Sequence, residues 1–129
     1  MRRLHIAPGL VLPADEAVTQ TFGILAKRGV GKTYTASVIA EEMLKARLPV
    51  VVADPIGVWW GLRSAFPVVL FGGDHADLPI TESAGRIVAQ AGAASPQSWI
   101  LDTSALKTKA AERRFMLEFL DGLYEVNRN

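Results

Sequence analysis

The sequence predicts an α/β fold, a mostly parallel sheet flanked by helices, and three observations predict it. The first is the run Ile24-Leu25-Ala26-Lys27-Arg28-Gly29-Val30-Gly31-Lys32-Thr33, which has the spacing of a phosphate-binding loop. That pattern is a small residue, four free positions, then Gly-Lys-Thr, with an apolar strand before it and a helix after it. The second is the set of short apolar runs at 50–53, 68–71 and 98–101, spaced by turn residues and amphipathic stretches. The third is that Val50-Val51-Val52-Ala53 is continuously apolar, the pattern of a parallel strand covered on both faces.

Both flanks of the loop are present. Thr21-Phe22-Gly23-Ile24-Leu25 reads as a short buried strand, and 33–47 reads as a helix rich in Ala, Glu, Met, Leu and Lys. Gly29 and Gly31 let successive backbone N–H groups curl around an anion, because a residue without Cβ takes the positive-φ conformations of such a nest. The helix start adds unpaired N–H groups and the positive end of its dipole. Lys32 supplies a mobile cation for β- and γ-phosphates, and Thr33 a hydroxyl placed for Mg²⁺. Ala26 stands at the position where Gly is commoner; it is small enough for the turn if its φ stays negative. The bland alternative is a glycine turn between a strand and a helix, with an incidental exposed lysine.

The 129 residues suit one domain, read here as a single partial ATPase-type domain with a hairpin and lead-in at 1–19 and an α/β core at 20–129. A net charge of +1 gives no global electrostatic case for nucleic acid or for an anionic membrane. With no cysteine there is neither a disulfide framework nor a thiolate metal site. His5 and His75 lack metal-ligand spacing, so any metal is expected to arrive with the nucleotide. The stretch after Met1-Arg2-Arg3 is broken by Pro8, Gly9 and Pro13, too short and interrupted for a signal peptide or a span. A cytoplasmic protein with no membrane partner is the expectation.

In chain order, Leu4-His5-Ile6 and Leu10-Val11-Leu12 predict a small hairpin, with His5 at a solvated position. Residues 13–18 predict a helical turn. In the helix after the loop, Ala36, Ile39, Ala40, Met43 and Leu44 form the apolar side and Glu41, Glu42 and Lys45 the wet side, with Pro49 as the stop. Asp54 ends the next strand, at the edge where open parallel sheets bind ligands; it either faces water or magnesium near a nucleotide or caps a turn with Pro55. Trp59 and Trp60 read as packing anchors. Val68-Val69-Leu70-Phe71 is a third strand, closed by Gly72-Gly73-Asp74-His75, where His75 reads as a loop residue without a nucleophile beside it. A helix from about Pro79 to Gly92 places Ala84, Ile87, Val88 and Ala91 inward. A fourth strand ends in Asp102, a second strand-end acid with no glutamate after it. The last helix, about Ala105 to Val126, buries Phe115, Met116, Phe119, Leu120 and Leu123, and Lys107, Lys109, Arg113 and Arg114 form a basic, solvated end.

The loop run, then Val51-Val52-Ala53-Asp54-Pro55-Ile56-Gly57-Val58-Trp59, then Phe71-Gly72-Gly73-Asp74-His75, resembles bacterial ATPases of the HerA type, within the HerA/FtsK superfamily of DNA-pumping motors. The resemblance implies a RecA-like P-loop fold, assembled as a hexameric ring around DNA and often working with a nuclease. It implies ATP and Mg²⁺ held by Ala26, Lys27, Arg28, Gly29, Val30, Gly31, Lys32, Thr33 and Tyr34, with Thr33 on the metal and Lys32 and Asp54 as catalytic candidates. Asp54-Pro55-Ile56-Gly57 corresponds to the family's Asp-Pro-His-Gly, with Ile56 in place of the histidine. Family members carry a further strand with paired acids and an arginine finger beyond a helix like the last one here, so the chain reads as the N-terminal portion of a longer ATPase. A small P-loop kinase is the alternative enzyme; it would need a lid of clustered arginines, and of Arg86, Arg113, Arg114 and Arg128 only two are adjacent. A nucleotide-binding or assembly module that never hydrolyses is the non-enzymatic alternative.

Overall fold

A computed structural model describes residues 3–17, 32–94 and 97–128, in ten elements that divide between two compact units, Met1–Val50 and Val51–Asn129. The expected strand at 21–25 and most of the phosphate-loop motif lie outside the described residues.

In the first unit, β1 (Arg3–Ala7) and β2 (Leu10–Pro13) pair antiparallel, with Leu4 opposite Leu12 and a bulge between His5 and Ala7. The expected hairpin is therefore present. Leu4 is fully buried and His5 exposed, as alternation along a half-buried strand requires. A single helical turn, α1 (Ala14–Ala17), follows directly, and α2 (Lys32–Lys45) packs against β1. α2 stops before Pro49 is reached. Arg47 takes a left-handed φ of 60°, Leu48 N–H donates to Met43 O at 3.0 Å and Arg47 N–H to Leu44 O at 3.0 Å, a closure that glycine usually provides. Glu42, expected on the wet side, is half-buried and binds two groups: its Oε1 accepts the His5 backbone N–H at 2.9 Å and its Oε2 pairs with Lys45 at 3.0 Å.

In the second unit, β3 (Val51–Asp54), β5 (Ser98–Asp102) and β4 (Val68–Phe71) form a parallel sheet in the order β3-β5-β4. A 3₁₀ turn (Trp60–Ser64) precedes β4, α3 (Gly85–Ala93) joins β4 to β5, and α4 (Lys109–Asn127) follows β5. This is an α/β arrangement with a separate antiparallel hairpin, as the sequence predicts at that level. All five residues of the central strand β5 are buried. β3 departs from the expectation of two covered faces: it pairs only with β5 among the described residues, and Val51 is 43% exposed with Ala53 also open.

One face of the sheet presents Phe71, Trp99 and Leu101 to Val88 and Ala89 of α3 and to Phe115 and Phe119 of α4. The Trp99 ring meets Phe71 and Phe119 edge-on, at 6.3 Å and 76° and at 6.2 Å and 78°. This core corrects the helix faces read from periodicity. α3 starts at Gly85, not Pro79, and buries Gly85, Val88, Ala89 and Gly92, whereas Ile87 and Ala91 are exposed. The small residues win because the helix lies close to its neighbours: a Cβ on Gly92 would fall within the Trp99 indole. α4 starts at Lys109, where the Thr108 Oγ1 accepts the Ala111 N–H at 3.0 Å. It buries Ala111, Phe115, Phe119 and Gly122, with Met116 and Leu123 partly covered, and leaves Leu120 54% exposed.

Hydrogen bonding to Lys45, then to the His5 N–H, holds the Glu42 carboxyl below its ordinary 4.5. A depressed carboxyl stabilises the fold above its unfolded value and loses that contribution as pH falls through the lower, folded one. The hairpin–α2 tie should therefore weaken below pH 4.5. Following the His5 amide resonance by NMR on acidification should reveal one titration step at Glu42's lowered value. Glu42→Gln should remove that step; its persistence in the variant would rule the tie out.

Candidate functional site

The chemistry-bearing residues of the second unit gather at the carboxyl edge of its sheet. Asp54 and Asp102 are register partners at the ends of adjacent parallel strands, and each is only 2% exposed. A buried carboxylate needs donors. Asp54 Oδ1 accepts the N–H groups of Ile56 at 3.2 Å and Gly57 at 2.8 Å, and its Oδ2 accepts that of Trp59 at 2.9 Å. The turn-capping arrangement weighed from Asp54-Pro55 is thus fully formed. Thr103 N–H donates to the Asp54 carbonyl at 3.1 Å, carrying the ladder one residue past the strand ends.

Asp102 Oδ1 accepts both the Ser104 N–H at 2.9 Å and the Ser104 hydroxyl at 2.6 Å. Its Oδ2 lies against two glycines from different loops. Gly57 has φ 84° and a Cβ there would lie 3.2 Å from Oδ2; Gly73 has φ 76° and a Cβ there would collide with the carboxylate. Any other residue would meet both a strained backbone and the acid. Asp102, Gly72, Gly73, Pro79, Ile80, Ala105 and Leu106 line a cavity of about 210 Å³ at this edge. The cavity walls are apolar apart from the acid and the glycine backbone, so it suits a small hydrogen-bond donor more than an anion.

The loop after β4 is tied down beside these acids. Asp77 Oδ2 accepts the Leu70 N–H at 2.9 Å, and its Oδ1 pairs with Arg63 Nη1 at 2.8 Å, which also donates to the His75 carbonyl at 2.7 Å. The His75 ring stacks on Trp60 at 4.0 Å and 17°. His75 therefore works as a loop residue, as expected, and Trp60 anchors that loop while staying 42% exposed. Asp77 escaped the sequence reading; its signal, an acid a few residues after a Gly-Gly turn, is indistinguishable from a solvated loop charge until the turn folds back.

Of the phosphate-loop residues, Ala26, Lys27, Arg28, Gly29, Val30 and Gly31 lie outside the described residues, as do the side chains of Lys32 and Thr33. Helix α2 opens at Lys32, where the motif needs a helix to begin, and Tyr34 in its first turn is 74% exposed. Among the described residues no group of three or more His, Asp or Glu side chains could hold a metal ion, and no helix is long and apolar enough to cross a membrane.

Gly73→Ala should destabilise the chain by about 2 kcal/mol, through positive φ and displacement of the Asp102 carboxylate. Gly61→Ala is the control, because a Cβ at Gly61 meets nothing within 4 Å. Urea denaturation of the two variants should separate them; equal midpoints would dissolve the proposed lock.

Residues 7–65 match the family model described as helicase HerA, central domain. No curated protein and no solved structure matches the chain. The matched segment contains the whole 24–33 motif and the Asp54-Pro55-Ile56-Gly57 turn, two of the three stretches that carry the resemblance.

Proposed function

We propose, on the match of residues 7–65 to the HerA helicase central-domain model, that this protein binds ATP with Mg²⁺ as part of a DNA-translocating motor. The observation that carries the reading is the coincidence of the Ala26–Thr33 spacing with that segment and with a helix that opens at Lys32. Residues 26–34 are the nucleotide-binding run. In that role the backbone N–H groups of Gly29, Val30 and Gly31 would hold phosphate, Lys32 would neutralise the β- and γ-oxygens, and the Thr33 hydroxyl would ligate the metal. Magnesium, when bound, offsets the charge that develops on the transferring phosphate. In the whole protein this reading extends to a cytoplasmic homohexamer on DNA with a nuclease partner.

Asp54 is the second catalytic candidate, and its hydrogen bonds favour a division between binding and turnover. Both of its oxygens are engaged by backbone N–H groups, and Asp102 Oδ1 is committed to Ser104. A carboxylate engaged in that way is a poor base for an attacking water, which must compete with donors already in place. That supports the reading of a nucleotide-binding module that turns over slowly by itself. Efficient hydrolysis needs a water-orienting residue and commonly an arginine, the latter worth about 10³ to 10⁵ in rate.

Titration calorimetry with a non-hydrolysable ATP analogue and Mg²⁺ should show binding by the 129-residue chain and a loss of roughly tenfold to a hundredfold in Lys32→Ala, from removal of a charge-assisted contact. Steady-state phosphate release by the same chain should remain at trace level. Equal affinities in the two proteins would overturn the nucleotide site. Robust turnover abolished by Asp54→Asn would instead assign the catalytic role to Asp54.

A further inference from the structure

Asp54 and Asp102 are register partners, equally buried, yet the fold treats their carboxylates differently. Asp54 takes three backbone N–H groups and uses both oxygens to do so. Asp102 receives its two donors, the Ser104 N–H and hydroxyl, on Oδ1 alone. Among the described residues its Oδ2 accepts no hydrogen bond, and no ion pair includes it. A carboxylate oxygen buried in that way needs a donor from water or from a ligand. The loops around it also keep it clear of side chains: Gly57 and Gly73, both at positive φ, lie against Oδ2, and a Cβ at Gly73 would collide with it. Asp102 lines the cavity of about 210 Å³, and with Oδ1 held by Ser104, Oδ2 is the oxygen left for an occupant. Water is a poor occupant, because it needs about two to four polar partners and Pro79, Ile80, Ala105 and Leu106 make the walls largely apolar.

We propose that this cavity binds a primary ammonium group on an unbranched alkyl stem, the ammonium donating to Asp102 Oδ2 and the stem lying against Ile80, Ala105 and Leu106. A primary ammonium is a compact cation with donors only, and its bond to a carboxylate oxygen is charge-assisted. The aliphatic stem behind it matches the apolar walls. A guanidinium is the poorer fit, since its planar fork is made for both oxygens of a carboxylate and Oδ1 is already engaged. Magnesium is poorer still. It demands a near-octahedral oxygen shell, and among the described residues no group of three or more His, Asp or Glu side chains could hold a metal ion. A second cavity, of about 500 Å³, adjoins the first along Ile80, Ala105 and Leu106, which gives a longer stem room to continue. A free alkylamine and a lysine side chain share this chemistry. The inference is independent of the nucleotide-binding reading.

The test is an NMR titration of the purified chain with n-butylammonium, read at the Gly73 and Ser104 amides and the Ile80 and Leu106 methyls. These resonances should shift together and saturate, with a Kd on the order of 1 mM for so small a ligand. Butan-1-ol, which keeps the stem and loses the charge, should bind at least roughly tenfold more weakly. Asp102→Asn keeps an acceptor for Ser104 and turns the other oxygen into a donor, so it should abolish the response to the amine. Ala105→Leu fills the cavity from an exposed position that touches none of the Asp102 hydrogen bonds, and it should abolish the response too. A lysine capped as an amide at both ends separates the two sources: saturation by it as well as by n-butylammonium assigns the site to lysine side chains, and saturation by n-butylammonium alone assigns it to free amines. No saturable shift up to roughly 50 mM, equal binding of amine and alcohol, an amine response that survives Ala105→Leu, or Mg²⁺ displacing the amine at lower concentration would overturn the proposal.

Discussion

Two carboxylates buried side by side at the ends of β3 and β5 impose the main constraint on the second unit. An acid removed from water must be compensated by donors. Here those donors are backbone N–H groups, which obliges the chain after each strand to turn sharply inward. The segment after Asp54 delivers three such groups within five residues, and the segment after Asp102 delivers the Ser104 N–H and hydroxyl. Glycines at 57 and 73 then let both neighbouring loops approach Asp102 to contact distance. The carboxyl edge of the sheet is thereby a set of three mutually locked loops built around acids.

Away from that edge, at the second residue of the central strand, the Trp99 indole lies edge-on to Phe71 and Phe119 and against Gly92 of α3. Because the ring is large, the helix over it must be small, and so α3 turns glycine and alanine inward. α4, which sits on the same core, contributes the aromatic bulk that α3 lacks. Leu117, Leu120 and Tyr124 fall on the side of α4 away from that core and are exposed.

The first unit is organised by a different economy. A short hairpin has little surface to bury, and Leu4 provides most of it. Glu42 adds a directional tie by accepting the His5 N–H at the strand while holding Lys45 on its own helix. The helix that makes this tie is the one opened by Lys32, so the nucleotide-binding run we propose leads into an element whose far end is anchored.

Elements whose identity depends on local chemistry were legible from the sequence: the hairpin at Pro8-Gly9, the helix after Lys32, three strands ending at Asp54, Phe71 and Asp102, and the spacing from Ala26 to Thr33. Spacing, turn residues and apolar runs act over a few residues, and one sequence contains them whole. The side of a helix that faces inward was a different matter. Ile87 and Leu120 satisfy helical periodicity as well as Val88 and Phe119 do; close approach of Gly92 to Trp99 sets the inward face of α3, and packing of Phe115 and Phe119 in the shared core sets that of α4. Likewise a strand-end aspartate reads equally as base or cap in the sequence. Tertiary structure decided how Asp54 is bonded by bringing three backbone N–H groups to one carboxylate, because a hydrogen-bond partner is a matter of position in space and not of residue type.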